Sequence, residues 1–435
     1  MAEAIRAAGA YTDSTLRDRT IRKLNIRIVL FCFICFIVNY LDRVNIGFAA
    51  LHMNEDIGLT PYMFGLGAGI FFIGYLAFEI PSNMILHKVG PRIWIARIMV
   101  TWGIVSCAMA WVQGPTSFYI LRFLLGVAEA GFAPGVLLYL TYWFPAKERG
   151  RATASFMAAT VLSIVIGAPI SGWLIDAGEG LFGMHGWQAM FLIEGLPSVV
   201  LGIFTFFYLV DSPAKDTKWL APDERAWLME QLEADRRNAK ADTRHSLREI
   251  FSDYRVWLLT LVYMFNGVAI YGVIMWLPQI VKTFGLTTAQ AGVVSAIPFI
   301  FAAIGLVVIA KSSDRTGERK IHTAMSGLVG GIFLIASALV TNPYLALALL
   351  CICAFFLWSY LGVFWTLPTQ FLSGAAAAGG LAAINGFAQI GGFTGPYLVG
   401  WVKTSTDSFS LSLITLAIFP IIGFFICMSL KANRD

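Results

Sequence analysis

The chain has 435 residues, 58% of them hydrophobic and only 13% charged, with a formal net charge of +5 and a mean hydropathy of +0.72. Water-soluble domains usually carry about a quarter charged residues, so the composition excludes a soluble globular enzyme and indicates a membrane protein. The small positive surplus follows membrane topology, and no nucleic-acid partner is expected.

Residues 1–26 are polar and arginine-rich. The apolar run behind them is too long for a signal-peptide core and shows no small-residue cleavage site, so no removed leader is expected. Twelve apolar segments follow, at roughly 27–50, 62–86, 93–112, 116–143, 151–175, 187–210, 255–281, 287–310, 321–341, 343–366, 379–402 and 408–430. Most reach the ~20 residues that cross a hydrocarbon core as helix, and none alternates as an outer-membrane barrel strand does. The predicted fold is therefore an all-α polytopic membrane protein with twelve spans. Its expected parts are a cytoplasmic segment at 1–26, a six-helix bundle at 27–210, a cytoplasmic linker at 211–254, a second six-helix bundle at 255–430 and a tail at 431–435. Within the linker, PDERAWLMEQLEADRRNAKAD reads as a surface amphipathic helix that tethers the halves.

Basic residues orient the chain, because short cytoplasmic loops concentrate lysine and arginine. Placed on this topology, 27 of the 31 fall on one side, together with both termini. Lys282 and Lys403 lie opposite, and Arg43 and Arg122 lie inside spans. Short glycine-containing basic turns after spans 2 and 8, LHKVGPR and SDRTGER, suggest that the halves are related by duplication.

All six cysteines fall within spans, where Cys32-x-x-Cys35 reads as packing, and the five histidines sit at span ends or in loops. Neither a metal site nor an enzymatic centre is expected.

The anomaly lies in spans 1 and 4. NYLDRVNIG places Asp42 and Arg43 in an apolar run, flanked by Asn39 and Asn45. FYILRFLLGVAEAGFAPG places Arg122 and Glu129 seven residues apart on one helix face. A charge at mid-membrane costs ~2.5–3.5 kcal/mol on insertion scales, so such groups face a polar interior. Two arginines whose planar forks suit carboxylates, set beside two carboxylates, form a site for which an anion and protons can compete. Structural ion pairing is the plainer alternative. Spans 7–12 hold no internal charge and offer Asn266, Tyr271, Trp276 and Gln279, then Trp358, Tyr360 and Trp365, then Asn385 and Gln389, four apart on one face. Glu79 and Glu194 are placed near span ends, with structural or gating duty.

NYLDRVNI, FYILRFLLGVAEAGFAPG, WFPAKERGRA and INGFAQIGGFTGPYLVG together resemble the anion:cation symporters of the major facilitator superfamily, over essentially the whole chain. SDRTGERK matches that superfamily's loop signature, and LHKVGPR is a degenerate copy with His87 in place of an aspartate. The resemblance implies two six-helix bundles, alternating access and proton-driven uptake of a small organic anion across a bacterial inner membrane. It implies Asp42 and Glu129 as proton-coupling carboxylates, Arg43 as ligand of the substrate carboxylate, and Arg122 as partner of Glu129. Tyr40, Tyr75, Trp365 and Asn385 fall where sugar-acid members contact substrate, whereas Thr160 stands where such members offer glutamine. FFIGYLAFEIPSN looks closest to tartrate-like or aromatic-acid carriers. No cofactor beyond the coupling proton and no partner beyond the anion and the bilayer is expected, and the chain is expected to act as a monomer. An exchanger or uniporter of the same fold, without proton coupling, is the alternative.

Overall fold

A computed structural model describes residues 15–215, 218–240, 252–372 and 374–430. The first fourteen residues, the basic end of the linker and the tail lie outside the described residues. Twelve long helices stand at the twelve predicted places. They are α1 (Thr15–Asp56), α2 (Pro61–Val89), α3 (Pro91–Trp111), α4 (Pro115–Trp143), α5 (Ala146–Gly178), α6 (Gly186–Tyr208), α7 (Tyr254–Lys282), α8 (Thr288–Thr316), α9 (Arg319–Leu339), α10 (Pro343–Gln370), α11 (Gly374–Thr406) and α12 (Phe409–Ser429). Eleven are long and apolar enough to cross a membrane, and α11 has 33 residues. No strand occurs among the described residues.

Local chemistry sets the helix ends. Proline occupies the first turn of α2, α3, α4 and α10, where its missing N–H has no intrahelical partner to lose. Thr60 and Thr287 cap α2 and α8 by accepting the Met63 and Gln290 amides. Interruptions in α1, α4, α5 (at Ala158) and α10 (at Tyr360) escape a reading by hydropathy, because the residues stay apolar through them. Helix α1 breaks at Asn45. Helix α4 breaks after Glu129, where Gly131 adopts φ +89° and a side chain would meet the Ser82 hydroxyl at 2.3 Å.

The first six and last six helices form two bundles that meet through α2 on α11 and α5 on α8, with a smaller contact of α1 on α7. The meeting is tightest at the face where α1 ends and α2 begins, the distal face. A Cβ on Gly65 would lie 2.5 Å from the Pro396 carbonyl oxygen, one on Gly400 2.4 Å from that of Pro61, and one on Gly292 2.5 Å from that of Ala168. Backbones that close leave no room for side chains between the halves. At the same face the Tyr62 amide donates to Thr404 (2.8 Å), the Ala289 amide to Asp176 (2.9 Å), and His52 meets Thr288 (3.0 Å). The distal face is thus shut.

The linker helix, Pro222–Lys240, is fixed to the first bundle rather than lying free on the surface. Buried Glu224 pairs with Lys23 (2.8 Å) and Arg19 (2.7 Å), Arg19 also reaches Asp223, and Asp235 accepts the Ala146 amide (2.7 Å). Burial alone would push the Glu224 carboxyl up. Bonds from Lys23 and the Ala221 amide, with the charges of Lys23 and Arg19, hold it below its ordinary value.

Candidate functional site

The interruptions of α1 and α4 lie beside the two charged groups that meet. Arg43, in the last turn before the α1 break, donates from Nη2 (2.9 Å) and Nε (3.3 Å) to a single oxygen of Glu129, the last residue before the α4 break. Arg43 is 7% exposed and Glu129 is not exposed at all. A cation at a helix C-terminus is favoured by the unsatisfied carbonyls there. Around the guanidinium stand the rings of Tyr75 (5.0 Å), Phe71 (5.1 Å) and Tyr40 (5.6 Å), which attract a desolvated cation through their faces. The other Glu129 oxygen, Oε1, makes no hydrogen bond of ordinary geometry. Asn39, one turn before Arg43, lies beside Glu129, and its amide interacts with that carboxylate. The Glu129 carboxylate is served by Arg43 and Asn39 and its Oε1 keeps spare accepting capacity.

Four ionised side chains do not converge. Arg122 turns to α2, donating to the carbonyl oxygens of Ala68 (3.2 Å) and Gly67 (3.4 Å). Arg122 lies seven residues, about 10 Å, along the helix from Glu129. Gly67 also lets α4 approach so closely that a Cβ there would strike the Phe118 ring at 2.1 Å, and this brings the α2 carbonyls within reach. Arg43 and Arg122 flank one ring, Phe71, which lies 5.1 and 4.9 Å from them.

Asp42 points the other way, into the first bundle. It accepts from Ser106 (2.8 Å) and Trp102 (3.0 Å) of α3 and from Ser198 (2.8 Å) of α6. Adjacent helical residues diverge by ~100°, so Asp42 and Arg43 cannot serve one cleft. Glu194 is likewise buried, accepting from Ser171 (2.7 Å) and Asn45 (2.9 Å), and is no span-end group.

The second bundle faces Arg43 with rings. Tyr271 stands 4.5 Å from Phe72 and beside Tyr40, while Tyr263 packs on Trp365 (4.9 Å) and Tyr360 (5.7 Å). Asn385 donates to Glu79 (3.1 Å), a hydrogen bond between the bundles away from the distal face. Gln279 lies toward the distal face, beyond the Gly47 to Met275 approach, with its Nε2 unpartnered. Thr160 and Gln389 are half-buried, and no hydrogen bond joins either to the pair. Sequence reasoning passed over Phe71, Tyr263 and the Glu79 link. The signal for the first and last is spacing: Phe71, Tyr75 and Glu79 recur every four residues on one face of α2.

Known proteins align with this chain over nearly its full length. A family model described as Major Facilitator Superfamily matches residues 32–396. A protein of Agrobacterium vitis whose given name proposes tartrate transport is 49% identical over 405 residues, 93% of each chain. The quinolone resistance transporter of Acinetobacter baumannii is 42% identical over 418 residues, 95% of each chain. Among solved structures, an inward-facing, unoccupied bacterial homologue of the human lysosomal transporter Spinster superposes with a TM-score of 0.77 at 18% identity, covering 94% of this chain and 98% of that one. That likeness concerns the fold.

Proposed function

The chain belongs to the major facilitator superfamily, and from that membership we propose that it is a proton-coupled symporter taking up a small organic carboxylate by alternating access. The observation that carries this reading is the buried Arg43–Glu129 pair, in which Glu129 Oε1 keeps spare accepting capacity. An incoming carboxylate finds Arg43 already neutralised by Glu129. Two carboxylates on one guanidinium leave an uncompensated buried negative charge, which is costly at low dielectric. Protonation of Glu129 removes that cost and releases Arg43 for the planar, two-point contact that guanidinium makes with carboxylate. Proton and anion then favour each other's binding by the same factor, as linkage requires. Reionised Glu129 retakes Arg43 and expels the anion.

The roles of the other groups follow from where they stand. Tyr40, Tyr75 and Tyr271 enclose the carboxylate, and Trp365 and Asn385 meet the remainder of the substrate from the second bundle. Arg122 holds α4 to α2, and Asp42 is a further proton acceptor only through movement of α3 or α6 that frees it from its three donors. With the termini cytoplasmic, as the basic loops argue, the shut distal face is periplasmic and the cleft opens inward. The relative named for tartrate supports a hydroxylated or dicarboxylic substrate, and a bacterial inner membrane and a monomer complete the reading.

Reconstituted vesicles test it. Labelled tartrate, succinate or mandelate should accumulate when an inward proton gradient is imposed and should leak away on adding a protonophore. Equal uptake with and without the gradient would favour an exchanger or uniporter instead.

A further inference from the structure

Glu79 is a carboxylate that the transport cycle above leaves unused. It lies on α2 one turn beyond Tyr75, about 6 Å along the axis, and is 8% exposed. One oxygen accepts from Asn385 of the opposite bundle (3.1 Å). The other oxygen makes no hydrogen bond and is not among the fully enclosed polar atoms, so it remains accessible. Arg43 and Tyr75 in one bundle and Tyr263 in the other lie within its electrostatic reach. No ion pair to Glu79 forms among the described residues. The Arg43 guanidinium of α1 thus stands against the Tyr75 ring of α2 (5.0 Å), and one turn further along α2 Glu79 offers an acceptor oriented by Asn385.

We propose that Glu79 is a specificity-determining residue: its open oxygen accepts a hydrogen bond from a hydroxyl of the acid whose carboxylate docks on Arg43. The site on this account selects hydroxy acids over the same acids without the hydroxyl. The inference rests on the reading of Arg43 as the carboxylate dock. A deoxy acid would strip water from the Glu79 oxygen and return nothing, leaving a charged acceptor unsatisfied. A site built to bond a hydroxyl rejects the analogue that lacks it far better than an apolar pocket rejects an extra group. Asn385 is a positioning residue here, since its amide fixes the rotamer of the carboxylate from across the bundle interface.

The test uses the purified full-length protein in detergent and three matched pairs: glycerate and propionate, tartrate and succinate, mandelate and phenylacetate. Affinities are read by intrinsic tryptophan fluorescence, with thermal shift as a check. In the wild type at least one hydroxy acid should bind about tenfold or more tighter than its partner, as a hydrogen bond to a charged acceptor supplies. Glu79→Leu should bring that ratio within about threefold by weakening the hydroxy acid alone. Glu79→Gln, which keeps a neutral acceptor and serves where the leucine variant does not fold, should bring it partway down. Arg43→Lys should weaken both members of a pair and leave their ratio in place. Binding that depends on Arg43 but shows no hydroxyl preference, or a preference untouched by both Glu79 variants, would overturn the inference and leave the dock standing. Failure of all six acids to bind the wild type would instead remove the dock, and the inference with it.

Discussion

Replacing Glu129 by glutamine separates charge from shape at the central pair. Arg43 addresses a single Glu129 oxygen, at 2.9 and 3.3 Å, and an amide oxygen can stand in the same place. The bond survives with a charged donor, and the opposite charge on the acceptor is lost. Arg43 then keeps a hydrogen bond within the ~1.5–3 kcal/mol range of a charged partner but falls from its upper to its lower part, so residue 129 would hold Arg43 less firmly by about 1–1.5 kcal/mol. An anion competing for that guanidinium gains the difference, a five- to tenfold tighter Kd by roughly 1.4 kcal/mol per decade. The fold should tolerate the change. Removing one partner of a buried pair commonly costs ~3–5 kcal/mol, but the three rings within 5.6 Å of the guanidinium contribute ~0.5–2 kcal/mol each, and the expected loss is about 2 kcal/mol or less. The assay pairs anion titration at pH 8 with uptake into vesicles. Binding should tighten and lose its pH dependence, exchange of internal for external substrate should persist, and accumulation against a gradient should vanish. Concentrative uptake at the wild-type level, or weaker anion binding at every pH, would refute the reasoning.

Further expectations concern groups around that pair. Arg43→Lys replaces a planar fork by a point charge and should raise the Kd for the anion about a hundredfold, measured by calorimetric titration, while the helical circular dichroism is kept. Asp42→Asn offers donors to a site that already holds an indole N–H unable to reverse its role; about 1–3 kcal/mol of stability should be lost, visible as a lower melting temperature, whereas an unchanged melting temperature would mean that the three donors bind water as readily. Gly292→Leu must displace the Ala168 carbonyl, so a single cysteine placed at Gln279 should react faster with an impermeant maleimide than in the parent. Glu224 is held below its ordinary value by Lys23 and Arg19, so its contribution is complete above the usual glutamate range near ~4.3 and is lost as pH falls through its lower folded value; limited proteolysis of the linker should accelerate only below that range, and Glu224→Ala should remove the dependence.

The fold was legible because the bilayer dictates it. A backbone in lipid must satisfy its own hydrogen bonds, so twelve apolar stretches and the lysine and arginine bias leave little choice of architecture. The candidate site was legible in its members more than in its pairings. Asp42, Arg43, Arg122 and Glu129 stand out because ionised groups in spans are rare, but which of them meet depends on helix rotation and on two breaks that hydropathy does not mark. Counting turns put Arg122 and Glu129 on one face and could not foresee that Gly67 would let α2 carbonyls reach the arginine first. The rings Phe71 and Tyr263 were hidden for the opposite reason, since an aromatic in a span is unremarkable until its neighbours are known.

The seven residues from Asn39 to Asn45 touch partners on every side: Asn39 and Arg43 reach α4, Asp42 reaches α3 and α6, and Asn45 reaches α6 again. Each successive residue is turned by ~100°, so adding or deleting one residue here would swing every later group onto the wrong neighbour at once. A change of length in this stretch should therefore cost more than any single substitution in it, and a library that scans indels along the chain would mark it as a sharp gap in an otherwise forgiving first helix.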